Sequence, residues 1–143
     1  MTGEARTKED LRRQEEEELI RLKNFIVKEY DGIRWVFDPQ GWEHWKKKQA
    51  SIRELVDNFL EELRKEGEEV EEIFLYYDEE ESFYFEQERY YIRIFIKNLK
   101  KSSVMKLYDE WFDKYVVPVI NETNVRGVDF ESVKMKGFYY GLV

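Results

Sequence analysis

The sequence predicts an α+β domain: an N-terminal helix followed by a ferredoxin-like β-α-β-β-α-β core, an antiparallel sheet with both crossover helices on one face. Three observations carry this reading. Apolar residues alternate with period two at Ile33, Trp35 and Phe37 and again at Ile92, Ile94 and Ile96. They recur with helical spacing from Trp42 to Leu63 and from Val104 to Val119. Turn and cap residues stand at the joins. The 143 residues fit one domain, 1–143, with residues 1–30 as a helical arm and 31–143 as the core.

Taken in order, Thr7-x-x-Asp10 reads as a capping box, and Leu19, Leu22, Ile26 and Tyr30 extend a helix from Lys8 to Glu29. Asp31-Gly32 ends it. Ile33 to Phe37 is a short strand. Asp38-Pro39 then supplies an N-cap and a proline at the first helical position. The helix that follows runs to Gly67, either as one rod or as two. Val70 to Tyr77 is a strand, and Asp78 to Glu81 a hairpin turn or longer loop. A second strand covers Phe83 to Asn98, interrupted near Gln87. Ser102 or Ser103 caps the last long helix, which Pro118 ends near Val117. A loop over 121–126 leads to a final strand through Val128 and Met135, bulged between Phe130 and Val133. The element order leaves one sheet face open, with the N-terminal helix available to cover it.

Charge is unevenly laid out. The net is −8, yet residues 61–88 hold 13 acids against 2 bases and residues 89–106 hold 6 bases and no acid. An acidic average disfavours general nucleic-acid or anionic-membrane binding. The longest apolar run, Tyr115 to Ile120, falls far short of the ~20 residues of a spanning helix. No signal-peptide pattern opens the chain, so a soluble cytoplasmic protein is expected. Lys/Glu enrichment without cysteine resembles a hyperthermophile composition.

Chemistry is bounded by what the chain lacks. With no cysteine and a single histidine, His44, thiolate sites and mechanisms that need two imidazoles are out. No phosphate-binding glycine loop and no nucleophile elbow is present, and no cofactor is expected. Two constellations remain. The first is basic and aromatic: Arg89, Tyr91, Arg93, Phe95, Lys97, Lys100 and Lys101 interleave on and after one strand. On an open sheet, rings stack on unpaired bases while cations meet phosphates. The second is a carboxylate set, Asp38, Asp109, Asp113, Asp129 and Glu131, oxygen ligands of the kind a hard cation takes. Each has a plainer explanation as core packing or solvated surface.

The excluded chemistry, the aromatic excess and the polarised charge together favour a small non-enzymatic interaction or regulatory module. A protein partner or a second copy is expected, most simply as a homodimer through the open sheet face or the N-terminal helix, with Trp42, Trp45, Phe74 and Tyr76 as candidate interface rings. Single-stranded nucleic-acid binding through residues 89–97 is the alternative. A carboxylate metal-dependent hydrolase or nuclease is the second alternative.

Overall fold

Thr7 caps the first helix reciprocally. Its hydroxyl accepts from the Asp10 amide at 3.1 Å, and its own amide reaches the Asp10 carboxylate. A computed structural model describes residues 7–100, 108 and 110–141. The helix, α1 (Lys8–Leu22), stops seven residues before the sequence predicts. Asn24 takes a left-handed φ of 59° and donates to Arg21 O at 3.1 Å, while Phe25 donates to Ile20 O at 3.0 Å. That pair of bonds is a Schellman close, which turns the chain out of the helix. The β-branched run beyond it becomes a strand, β1 (Ile26–Tyr30).

Asp31-Gly32 is therefore a hairpin turn, not a helix stop. Both residues have positive φ, 54° and 79°, the requirement of a tight turn whose twist matches its strands. β1 pairs antiparallel with β2 (Ile33–Phe37), Tyr30 opposite Ile33.

Asp38 caps α2 (Pro39–Lys65), accepting from Gly41 N at 2.6 Å through Oδ1. Its other oxygen accepts from Tyr77 N at 2.9 Å, at the end of β3 (Glu69–Tyr77). α2 kinks at Lys48, whose φ and ψ leave the helical range. Its buried stripe of Ile52, Leu55, Val56, Phe59 and Leu63 lies on the sheet with Trp45.

The ferredoxin-like expectation is overturned here. The sheet is five-stranded and mixed, in the order β1-β2-β3-β4-β5, with β4 (Tyr90–Lys97) and β5 (Val125–Ser132). β2 pairs directly and parallel with β3, from Arg34–Glu72 to Phe37–Leu75. β4 likewise pairs directly and parallel with β5. Each crossover joins neighbours instead of skipping a strand, and β1 adds a strand that the expected core lacks. A split arrangement would need a strand between β2 and β3. The Asp38 bridge and the seating of Gly41 on the Leu75 carbonyl leave no room for one.

Between β3 and β4 the acidic run is not a turn. Asp78 caps a short helix, α3 (Glu79–Phe85), accepting from Glu81 N at 2.9 Å, with three glutamates in its first turn where the helix dipole favours them. The strand expected from Phe83 therefore begins at Tyr90. Beyond β4, Phe112–Val116 forms a π turn and Val117–Val119 a 3₁₀ turn around Pro118, which lacks the amide a regular helix needs. A short α4 (Ile120–Thr123) leads into β5, and α5 (Lys136–Tyr139) closes the described chain. The expected caps Ser102 and Ser103 lie outside the described residues. The expected bulge after Phe130 is instead the end of β5, followed by a 3₁₀ turn at Val133–Met135.

The two sheet faces are filled differently. One holds the large core of Trp35, Phe37, Ile73, Leu75, Ile92, Ile94 and Ile96 under α2. On the other, Val36, Phe74 and Phe95 meet Ile20 of α1 and Tyr140 from the C-terminal segment, with Leu19, Phe25 and Tyr139 around them. The face is thus covered by α1 and the C-terminal segment together. Among the described residues no helix is long and apolar enough to cross a membrane.

Candidate interaction surface

The chemistry-bearing residues gather at one end of the sheet, where β2 and β3 finish and β4 and β5 begin. Here Tyr77 pairs with Tyr90 and Tyr90 with Val125. The start of α2 stands at the same end. Its His44 is buried and bonds through Nε2 to the Thr123 carbonyl at 2.5 Å. A carbonyl only accepts, so Nε2 carries the proton. The ring lies parallel to Tyr90, centroids 3.8 Å apart. Burial lowers the His44 pKa; the Thr123 bond and the charge of Glu88 oppose this without cancelling it. Burial pushes the Tyr90 hydroxyl up to about 12.

α3 projects from this end. Ser82 faces inward, buried, and its hydroxyl accepts from Arg89 N at 2.9 Å. Tyr91 donates to the Glu81 carboxylate, which ties the helix to β4. The rest of the helix faces water: Phe83 is 88% exposed, Tyr84 80% and Phe85 50%. Tyr84 and Phe85 meet edge to face at 4.9 Å, and the Arg89 guanidinium sits 3.7 Å from the Phe85 ring centre. Three consecutive exposed rings are what a solvated surface avoids unless something docks there.

The rings expected to form an interface sit elsewhere. Trp45 is fully buried and Phe74 nearly so. Trp42 is half-buried against Phe37, with Lys28 and Lys46 over its ring. Tyr76 is half-buried between Phe74 and Tyr91, and burial pushes its pKa up to about 12. All four help hold the sheet to its covering helices and segments.

The basic, aromatic strand is likewise engaged. Phe95 is fully buried under Tyr139 and Tyr140, so its ring is closed to a base. Arg93 pairs with Asp129 at 2.9 Å and lies 3.7 Å over Tyr139. Lys97 pairs with Glu69 at 3.3 Å, and Lys100 is exposed. Arg89 is half-buried on Phe85, and Lys101 lies outside the described residues.

The carboxylates do not converge. Asp38 caps α2, and burial raises its pKa against the two amide bonds it accepts. Asp129 holds Arg93, Glu131 accepts from Tyr139 at 3.0 Å, and Asp113 is exposed. Asp109 lies outside the described residues. Among the described residues no three His, Asp or Glu side chains stand close enough to share a metal ion.

A second polar cluster fastens α1 and the C-terminal segment to the sheet. Lys136 reaches Glu71 at 2.8 Å, Glu72 at 3.5 Å and Glu16 at 3.6 Å. Arg34 bridges Glu72 at 3.1 Å and also pairs with Glu17, and Tyr140 donates to Glu72. Burial alone would lower the Lys136 pKa; Glu72, Glu71 and Glu16 outweigh it and raise it. Burial raises the Glu16 pKa despite Lys136.

The aromatic run was visible in the sequence, but a strand there would alternate its side chains between two faces. A helix bonded inward through Ser82 and Glu81 leaves all three rings outside. No protein-family model matches the chain, and neither a curated protein nor a solved structure matches it.

Proposed function

We propose that the chain is a non-enzymatic interaction module that self-associates through α3. The observation that carries this reading is the exposed run Phe83-Tyr84-Phe85 on a helix anchored from below. A buried aromatic contributes about 150–250 Å², so these three partly exposed rings supply roughly 330–550 Å² per copy. Two copies would bury about 650–1,100 Å² in total, a weak interface. A two-fold contact sets the same patch against itself, so one exposed patch suffices. Support also comes from the anchoring. A pre-positioned helix loses little entropy on docking.

The test is solution mass against concentration for the wild-type chain and for Phe83→Ser/Tyr84→Ser/Phe85→Ser. Mass above the monomer that is lost in the variant supports self-association. Wild-type protein that stays monomeric but captures a purified partner through the same rings would keep the interaction reading and remove the homodimer.

A further inference from the structure

We infer that Arg89 and Arg126 form a binding site for a phosphate dianion where β4 and β5 begin. Tyr90 pairs with Val125, but the next pair is Tyr91 with Gly127. Arg126 is thus the extra residue of a bulge, a device that re-aims a side chain. Arg89 immediately precedes the strand beside it. Burial first, and the charge of Arg89 second, hold the Arg126 guanidinium below its usual pKa. Arg89 and Arg126 thus stand at the starts of two adjacent strands, with the charge of one acting on the other.

Among the described residues, neither guanidinium meets a carboxylate at ion-pair distance. Ion pairs among the described arginines involve Arg12, Arg13, Arg34, Arg53 and Arg93, never Arg89 or Arg126. The Nε of Arg89 and both Nε and Nη2 of Arg126 are shielded from water without a hydrogen-bond partner. Arg12, Arg34 and Arg93 also leave an Nε unbonded, yet each meets a carboxylate through another nitrogen. Among the described residues, only the Arg89–Arg126 pair combines dry donors with uncompensated charge. Such a pair opposes folding by repulsion and desolvation, and an anion relieves both.

The chemistry of the pair selects the anion. Each guanidinium offers a planar fork that matches an oxyanion. Two positive charges suit a phosphate carrying close to two negative ones; a carboxylate balances only one. Phe85 supports the Arg89 plane at 3.7 Å. The nearby acid Glu81 is engaged by Tyr91, and the charge of Glu88 acts on His44 and Tyr90. The acidic first turn of α3 repels an extended polyanion, so the ligand is a single phosphate group rather than a nucleic-acid strand. This inference rests on the two arginines and stands whether or not α3 docks a second copy.

Thermal unfolding of the full chain in inorganic phosphate, against sodium chloride at matched ionic strength, tests it. The expected rise is about 3–6 °C once phosphate exceeds its Kd about tenfold. Arg126→Gln and Arg89→Gln abolish the rise, while Arg53→Gln, whose charge is already paired with Asp31, keeps it. Without phosphate, Arg126→Gln melts at or above the wild-type temperature, because it removes the repulsion. Phosphate-31 line broadening by the wild type, absent with Arg126→Gln, reports binding independently of melting. No shift beyond chloride, an equal shift in Arg126→Gln, or an equal shift with acetate would overturn the proposal. So would an Arg126→Gln chain that fails to fold, since the guanidinium would then be a structural support.

Discussion

His44 lies flat against Tyr90, their ring centroids 3.8 Å apart and their planes 3° from parallel. With Nε2 bonded to the Thr123 carbonyl, the neutral imidazole joins α2 to the start of β4 and the end of α4. Burial disfavours the charged form, so the folded pKa lies below the ordinary value of 6.5. The stabilisation is fully present above about pH 6.5 and is lost as pH falls toward the folded pKa. As the single histidine, His44 gives one imidazole signal, and its NMR titration is expected to have a midpoint below 6.5. A midpoint at or above 6.5 contradicts the buried neutral state.

Lys136 shares the balancing of Glu72, which is 2% exposed, with Arg34, and also reaches Glu71 and Glu16. Lys136→Met leaves Glu71 without its cation and Glu72 with Arg34 alone, and is expected to lower stability by about 2–3 kcal/mol, measured by urea unfolding. Tyr140→Phe removes one donor from Glu72 and is expected to cost about 1.5–3 kcal/mol. Losses under about 0.5 kcal/mol for both would mean that the cluster does not hold α1 and the C-terminal segment to the sheet.

Gly41 marks the closest approach of α2 to the sheet. A Cβ there would stand 2.5 Å from the Leu75 carbonyl oxygen and 2.7 Å from Asp38 Oδ1. One contact is backbone and the other is the cap itself, so neither yields easily. Gly41→Ala is expected to destabilise by about 1–3 kcal/mol despite alanine's better helix propensity. A gain in melting temperature would show that α2 can lift off Leu75 freely.

Phe95 belongs to the second core, beneath Tyr140. Phe95→Ala is expected to cost about 3–5 kcal/mol. If single-stranded oligonucleotides bound with salt sensitivity, and Phe95→Ala lost that binding while its melting temperature stayed put, the strand would be an accessible stacking platform and the packing described here would be wrong.

The sequence made the local elements legible wherever punctuation and periodicity agreed. Asp38-Pro39 and Gly67 placed α2, and the Ile92-Ile94-Ile96 alternation placed the later part of the expected strand, which is where β4 lies. Asp31-Gly32 misled because a helix stop and a hairpin turn use the same residues. What separates them is Asn24, seven positions earlier, which closes α1. The strand order was not legible. A crossover joining adjacent strands and one skipping a strand share the same periodicity, and the Asp38–Tyr77 bond that decides between them spans 39 residues. The candidate surface was hidden for a related reason. Phe83-Tyr84-Phe85 suits a strand by composition, and only the Asp78 cap and the inward bonds of Glu81 and Ser82 make it an exposed helical face.

Light scattering on the wild-type chain across a concentration series, beside Phe83→Ser/Tyr84→Ser/Phe85→Ser, tests self-association through α3 most directly. Wild-type mass is expected to climb from 17.7 kDa toward twice that value. The variant is expected to stay at the monomer mass with only a small change in melting temperature, since Phe83 and Tyr84 face water and Phe85 is half exposed beside Arg89. Monomeric wild-type protein at the highest concentration, or a variant that still dimerises, would contradict it.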